Sequence, residues 1–204
     1  LVYNVPRSVE RQAAFDAFGE ANRADPNFRP ARRNQAAVLM RAGDYAGAAA
    51  ELEPIDPAWL ADADWVHLPL YGFTAPASRM ALLEAAESLA ARGVGVSLDL
   101  SSTATMRELG IETLRAIVDG VGAALIFANA DEAELATEMG LHPAASAVYV
   151  VKRGGDPVVL QTGDSREEVA IDRVADVLDS TGAGDAFAAG YITAALGGAE
   201  PGQR

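Results

Sequence analysis

The chain has 204 residues, of which 50% are hydrophobic and 22% charged, with no cysteine and a formal net charge of −13 at pH 7. Such a chain can bury a full core as one domain over residues 1–204, but it lacks thiols for disulfides or thiolate metal sites, and its charge argues against nucleic acid as a partner. No apolar stretch is long enough to cross a bilayer and the N-terminus does not resemble a signal peptide, so we expect a cytoplasmic protein that does not bind membranes.

Residues 1–60 show little regular patterning. Leu1–Val5 can form a strand, residues 7–23 form a charged amphipathic stretch, and residues 25–30, Asp-Pro-Asn-Phe-Arg-Pro, are typical of an irregular loop.

From Trp65 onward, strand and helix patterns alternate. The predicted strands cover residues 65–70, 94–98, 123–128, 147–151 and 158–160, and the predicted helices cover residues 77–92, 105–118, 130–139 and 186–196. Alternation of this kind requires crossover connections between parallel strands. The chain is therefore predicted to be an α/β protein, with a mostly parallel central sheet and helices on both faces.

Three polar residues follow or end these strands. His67 lies near the end of the first strand, where it is either a structural residue or one that faces a ligand. Asp99 directly follows strand 94–98, and we interpret it as a helix N-cap or as the acceptor of a loop hydrogen bond. Asn129 follows strand 123–128 and precedes Glu132 by three residues, which is the spacing of a capping box for helix 130–139.

The segment 147–160 is predicted to be a strand, a turn and a second strand. Its turn, residues 152–157, reads Lys-Arg-Gly-Gly-Asp-Pro. Lys152 and Arg153 are then either charges beside a bound anion or solvated turn residues.

The most informative segment is the glycine-rich turn before the last predicted helix. Residues 179–190 read Asp-Ser-Thr-Gly-Ala-Gly-Asp-Ala-Phe-Ala-Ala-Gly. A helix N-terminus preceded by small residues presents unpaired N–H groups and the positive end of the dipole, which together bind a phosphate or a developing anion. A carboxylate there repels the anion, so Asp185 is either a base that takes a proton from an attacking hydroxyl or an ordinary acidic residue at a helix start.

Residues 179–185 resemble the signature Asp-Thr-x-Gly-Ala-Gly-Asp of the ribokinase or phosphofructokinase B family of carbohydrate kinases, with Ser180 in place of the usual Thr. The resemblance implies a ribokinase-like three-layer sandwich. It also implies that Asp185 is the general base and that the amides of Gly182, Ala183 and Gly184 stabilise the transferring phosphoryl group.

Two further motifs resemble those of the family in the same order. The segment Asn129–Glu132 is similar to its Asn-x-x-Glu motif, which implies that these two residues hold a hydrated Mg²⁺, an ion that prefers oxygen ligands. The segment 150–157 is similar to the Val-x-Lys-x-Gly-x-x-Gly hairpin beside the nucleotide, although Pro157 stands where a second glycine is common. Lys152, Gly154 and, from the signature, Thr181 are then the nucleotide-binding residues.

The activity implied by the resemblance is transfer of the γ-phosphoryl group of ATP to a hydroxyl of a sugar or nucleoside, with the protein acting by positioning and charge stabilisation. Relatives place a monovalent cation, K⁺, beside the signature loop, and Asp179 and Thr181 match positions that can ligate it. Many relatives pair through a β-lid, so a homodimer is a further expectation.

The resemblance weakens toward both ends of the chain. The opening strand with its substrate-binding Asp, the Gly-Gly-x-x-x-Asn segment and the β-lid are not recognisable, although residues 41–51 are similar to the Gly-Ala loop before the family's first large helix. A closing helix would also follow Arg204 in a typical member. We therefore expect an incomplete ribokinase-like domain, which lacks parts of the lid, the sugar-binding region and the C-terminus.

Two other classes of protein share some of these features. A catalytically silent relative would bind a nucleotide or a sugar and act through interactions. A dinucleotide-binding oxidoreductase also has a Gly-x-Gly turn at a helix, but that turn opens the first crossover unit, whereas here the glycines come at the end. The kinase interpretation is therefore favoured over the oxidoreductase, and the catalytically silent relative is kept as the alternative.

Overall fold

The computed structural model describes residues 8–24, 60, 62–142, 144–172, 174, 177, 180 and 182–203, which fall in two compact units, residues 1–59 and 60–204. In the first unit, one helix is described: α1 (Ser8–Ala24), over the predicted amphipathic stretch. The predicted strand 1–5, the loop 25–30 and the segment 41–51 lie outside the described residues.

The second unit is built on a six-stranded sheet in the order β1-β2-β3-β4-β5-β6. Its strands are β1 (Trp65–Pro69), β2 (Gly95–Asp99), β3 (Leu125–Asn129), β4 (Val148–Arg153), β5 (Asp156–Thr162) and β6 (Ser165–Val169). Its helices are α2 (Pro76–Ala91), α3 (Thr103–Val121), α4 (Ala130–Glu138) and α5 (Ala183–Leu196). The pairs from β1 to β4 are parallel and the pairs from β4 to β6 are antiparallel, so the prediction of a mostly parallel sheet is confirmed.

The sheet is covered on both faces, as the alternation of side chains along β3 shows. Ile126 and Ala128 belong to a large core that includes buried residues of α2, α3 and α4. Leu125 and Phe127 point the other way, into a smaller core with Ala188 and Tyr191 of α5. The unit therefore has three layers, which confirms the predicted α/β architecture.

The parallel register brings the carboxyl ends of the strands together. Pro69 of β1 pairs with Asp99 of β2, Asp99 with Phe127 of β3, and Asn129 of β3 with Lys152 of β4. Residues that are far apart in sequence therefore lie along one edge of the sheet, where open α/β sheets place their binding sites.

The antiparallel part differs from the prediction in two ways. Strand β4 continues through Lys152 and Arg153, so these residues are not in the turn, which is formed by Gly154 and Gly155. Gly154 has φ of 63°, a conformation that favours glycine. Strand β6 was not predicted because its sequence, Ser-Arg-Glu-Glu-Val, is an exposed polar edge without apolar alternation.

One glycine of β2 leaves room for a large side chain of β1. A Cβ atom at Gly95 would lie 2.1 Å from the ring of Trp65, its partner across the strand pair. Gly95→Ala should therefore destabilise the fold by about 1–3 kcal/mol through overpacking.

Gly190→Ala is the matched control for Gly95→Ala. In α5 an added Cβ at Gly190 meets no atom within 4 Å, so this change should stabilise the fold by about 0.5–1 kcal/mol through helix propensity. Urea unfolding of the two variants measures both effects, and a Gly95→Ala midpoint equal to that of the unchanged protein would contradict the packing argument.

None of the helices in the described parts of the chain is long and apolar enough to span a membrane.

Candidate active site

A cleft of about 700 Å³ lies at the carboxyl edge of the sheet. Strands β1 to β4 and the first turn of α5 contribute to its lining. The residues singled out from the sequence that line it are His67, Asp99, Asn129, Glu132, Lys152, Arg153, Gly154, Ala183, Gly184 and Asp185. Asp179 and Thr181 lie outside the described residues.

The start of α5 forms one wall of the cleft. Gly182 is the N-cap, with φ of 77° and no side chain to cap the helix, so Ala183, Gly184 and Asp185 form the first helical turn. The Ala183 amide donates to the carbonyl of Ser180 (3.1 Å), whereas the amides of Gly184 and Asp185 belong to the helix end, where no carbonyl of the same helix can accept from them. These two amides and the helix dipole favour an anion at this point.

Asp185 is exposed and faces the same cleft. A carboxylate in the first turn stabilises the helix, but here it also stands beside the place that favours an anion. An alcohol bound in the cleft could give its proton to this carboxylate, so the arrangement can support general base catalysis.

Lys152 brings a positive charge to this wall. Its Nζ lies 2.8 Å from Oδ2 of Asp99, and the exposed fractions of the two side chains are 18% and 11%. The Lys152 ammonium lies near the end of β3, with Nζ 5.9 Å from the centre of the Phe127 ring. A Cβ atom at Gly184 would lie 3.3 Å from Nζ, so the glycine allows this charge to approach the start of α5.

The loop after β2 holds Asp99 in place. The amide of Ser101 donates to Oδ1 of Asp99 (2.7 Å), and the Ser101 hydroxyl donates to the Asp99 carbonyl (2.9 Å) and accepts from the Leu70 amide (3.1 Å). The loop hydrogen bond predicted for Asp99 is thus confirmed, but its alternative as an N-cap is wrong. The N-cap of α3 is Ser102, because Asp99 is already the last residue of β2.

Asn129 and Glu132 form the predicted capping box. Oδ1 of Asn129 accepts from the Glu132 amide (2.9 Å), and the Glu132 carboxylate accepts from the amide and from Nδ2 of Asn129, both at 2.8 Å. The Glu132 residue is only 3% exposed. Burial raises the pKa of its carboxyl, and the charges of Asp99 and Asp131 act in the same direction, whereas the hydrogen bond from Asn129 and the charge of Lys152 oppose them.

These two residues fit a hydrated Mg²⁺. Both supply oxygen, the ligand atom that the ion prefers, and each carboxylate oxygen keeps a free lone pair beside its hydrogen bond. Both line the cleft. In the part of the chain that the structure describes, no three His, Asp or Glu side chains are close enough to hold a metal by themselves, so an ion here would retain water ligands.

His67 lies at the β1 side of the cleft, with Nδ1 2.8 Å from Oγ of Ser97. Burial lowers the pKa of its imidazole, as does the charge of Lys152, whereas Asp99 and Asp185 raise it. The lowered pKa favours the neutral form of the imidazole.

Sequence reasoning missed two features of this cleft. The ion pair between Asp99 and Lys152 joins residues 53 positions apart, on strands that flank β3, so only the strand register reveals it. Ser97 is fully buried and was not singled out, although a serine in the middle of an apolar strand is a signal that something polar must lie beside it.

A model of the pfkB family of carbohydrate kinases matches residues 31–201. The chain belongs to this family. The solved structures that resemble this chain have the ribokinase fold. They include adenosine kinase from Sinorhizobium meliloti (TM-score 0.64, 21% identity) and a probable sugar kinase from Rhizobium etli (TM-score 0.60, 23% identity). A nucleoside kinase from Burkholderia thailandensis, solved in complex with inosine, is similar at a TM-score of 0.55 and 22% identity.

These similarities cover only part of each structure. They extend over 73%, 72% and 70% of this chain, respectively, but over 47%, 46% and 46% of the solved chains. The chain thus spans about half the length of the kinases that it resembles.

Proposed function

We propose that this chain carries the phosphoryl-transfer site of an ATP-dependent kinase whose acceptor is a hydroxyl group of a sugar or nucleoside. The observation that supports the proposal most strongly is the meeting, in one cleft, of a carboxylate, a helix N-terminus and a lysine ammonium. Asp185 and the Gly184 amide come from α5, and Lys152 comes from β4. Family membership supports the same reaction.

In the proposed reaction, the side chain of Asp185 takes the proton of the attacking hydroxyl. Amides at the start of α5 stabilise the charge that spreads over the equatorial oxygens of the phosphoryl group. The sequence predicts those of Gly182, Ala183 and Gly184 for this role, but the Ala183 amide donates to Ser180, so Gly184 is the member of this set with an open amide in the cleft. Lys152 Nζ, held by Asp99, adds positive charge beside them. The protein therefore contributes position and charge rather than covalent chemistry.

Mg²⁺ would be held by Asn129 and Glu132 and, when bound, would offset the charge of the ATP phosphates. Lys152 and Gly154 of the hairpin, together with Thr181, are proposed to contact the nucleotide. K⁺ ligation by Asp179 and Thr181 and assembly as a homodimer remain proposals that rest on the family alone.

The acceptor class is proposed from the relatives. The similar structures include an adenosine kinase, a nucleoside kinase in complex with inosine and a probable sugar kinase. We therefore keep both nucleosides and sugars as candidate acceptors.

An acceptor screen tests the proposal. The purified chain is mixed with Mg·ATP and, in turn, with D-ribose, D-fructose, 2-keto-3-deoxygluconate, adenosine and inosine, and the release of ADP is followed. We expect one of these acceptors to raise ADP release well above the acceptor-free rate. ATP binding without turnover on any acceptor would instead indicate the catalytically silent relative, and the absence of both would contradict the proposal.

A further inference from the structure

Three side chains form a hydrogen-bonded chain from the sheet core to the cleft. Trp65 Nε1 donates to Oγ of Ser97 (3.0 Å), and the same Oγ lies 2.8 Å from Nδ1 of His67. Ser97 is fully buried, and Gly95 leaves the space in which the Trp65 ring lies. The ring of His67 also meets Phe127 edge to face at 5.7 Å, which restrains its orientation.

The donor and acceptor capacities of the three side chains favour one arrangement of protons along this chain. An indole N–H can only donate, so Oγ of Ser97 must accept from Trp65. Oγ can accept a second hydrogen bond, so the direction of its contact with Nδ1 depends on the tautomer of His67. The hydroxyl also has one hydrogen of its own, and among the described residues that hydrogen has a partner when Nδ1 accepts it. This arrangement satisfies every group in the chain, and it favours the neutral imidazole with its proton on Nε2.

Nε2 is accessible from the cleft. His67 is half-buried and lines the cleft, and Nε2 has no protein hydrogen-bond partner within the described ranges. Across the same ranges, the one buried side-chain polar atom without a partner is Oη of Tyr149, so Nε2 is not enclosed in the core. An unpaired donor that is fixed in direction and open to a cleft is suited to a ligand atom.

We propose that His67 contacts the acceptor substrate, with its Nε2–H donating a hydrogen bond to an uncharged oxygen or ring nitrogen of the sugar or nucleoside. Trp65 and Ser97 are positioning residues, because they act on the substrate only by fixing the tautomer of His67. This inference rests on the proposed function and names a residue that selects the acceptor. His67, Asp185 and Lys152 line the same cleft, so the contact lies in the cleft that holds the proposed base.

The tautomer of His67 can be measured by NMR, whether or not the protein turns over a substrate. The chain has two histidines, so a protein labelled with ¹⁵N-histidine gives two sets of ring signals, and His142→Gln assigns them. In long-range ¹H–¹⁵N spectra at pH 7, we expect His67 to be protonated on Nε2 alone and Ser97→Ala to convert it to a mixture of tautomers. A mixture, or a proton on Nδ1, in the unchanged protein would overturn the proposal.

Kinetics test the contact itself. His67→Leu removes the donor and should raise the KM for adenosine or D-ribose about tenfold, the usual effect of losing one hydrogen bond, with the KM for ATP unchanged. His67→Gln keeps an N–H donor and should recover part of the loss, which a purely structural role would not produce. Equal acceptor KM values in all three proteins would overturn the proposal.

The inference and the proposed function can fail separately. If the unchanged chain turns over neither probe, adenosine and D-ribose are added at millimolar concentration to the ¹⁵N-histidine sample. A shift of the His67 Nε2 signal, with the His142 signal unmoved, would support the contact although the kinase proposal fails. Unmoved His67 signals with both probes would overturn the contact.

Discussion

We expect Asp185→Asn to lower kcat by about two to four orders of magnitude, the usual range for losing a general base, while ATP binds with nearly unchanged affinity. The amide of Asn keeps the size of the side chain but cannot take a proton from the attacking hydroxyl. Asp185 is exposed in the cleft and pairs with no cation in the described residues, so its loss should not disturb the core. Stopped assays of ADP formation and calorimetric titration with Mg·ATP separate the two quantities.

Asp131→Asn is the matched control for this variant. Asp131 also lies in the first turn of a helix, α4, and is exposed, but it lines a separate surface pocket, together with Arg107 and Glu138. The Asp131→Asn variant should lose the same kind of interaction with a helix dipole but keep the turnover of the unchanged protein. A kcat of Asp185→Asn similar to that of the control would remove Asp185 from the role of base.

The second large effect is expected for Lys152→Met. It removes the ammonium beside the start of α5, so kcat/KM for ATP should fall about a hundredfold, as when one preorganised donor to the phosphoryl group is lost. It also leaves the Asp99 carboxylate, whose side chain is 11% exposed, without its cation. We therefore expect a loss of about 1–3 kcal/mol in the free energy of unfolding, measured by urea denaturation.

A double-mutant cycle separates the two consequences of Lys152→Met. In the double variant Asp99→Asn with Lys152→Met, no charge remains unpaired, so most of the stability should return. Turnover should not return, because the cation is still missing. If both recover together, Lys152 acts only through the stability of the sheet edge and has no role toward phosphate.

The parts of the fold that follow a local rule could be predicted from the sequence. The apolar run before Asn129 and the spacing to Glu132 predicted β3 and the capping box, and both are present. The glycine-rich turn predicted a helix start with open amides. The predicted start of this helix, Ala186, is three residues later than the observed start, Ala183. The reason is that glycine has a low helix propensity, so the glycine-rich residues were assigned to the preceding loop.

The features that depend on long-range register could not be predicted. Lys152 looked like a turn residue, because nothing in its neighbourhood in the sequence shows that β4 continues past the last apolar position to reach Asp99. The tautomer of His67 depends on Ser97, which lies 30 positions away on the neighbouring strand. Strand pairing is a tertiary property, and it supplies the partners that turn separate polar residues into one site.

The central claim is that the first turn of α5 binds phosphate beside a proton acceptor, and titration of the ¹⁵N-glycine-labelled chain with Mg·ATP tests it most directly. We expect the amide signals of Gly182 and Gly184 to move and saturate. Gly93 lies between α2 and β2, and Gly122 lies between α3 and β3. The amide signals of these two glycines should not respond to Mg·ATP. Saturable binding of ATP with the Gly182 and Gly184 signals unmoved, or no binding at all, would contradict the account.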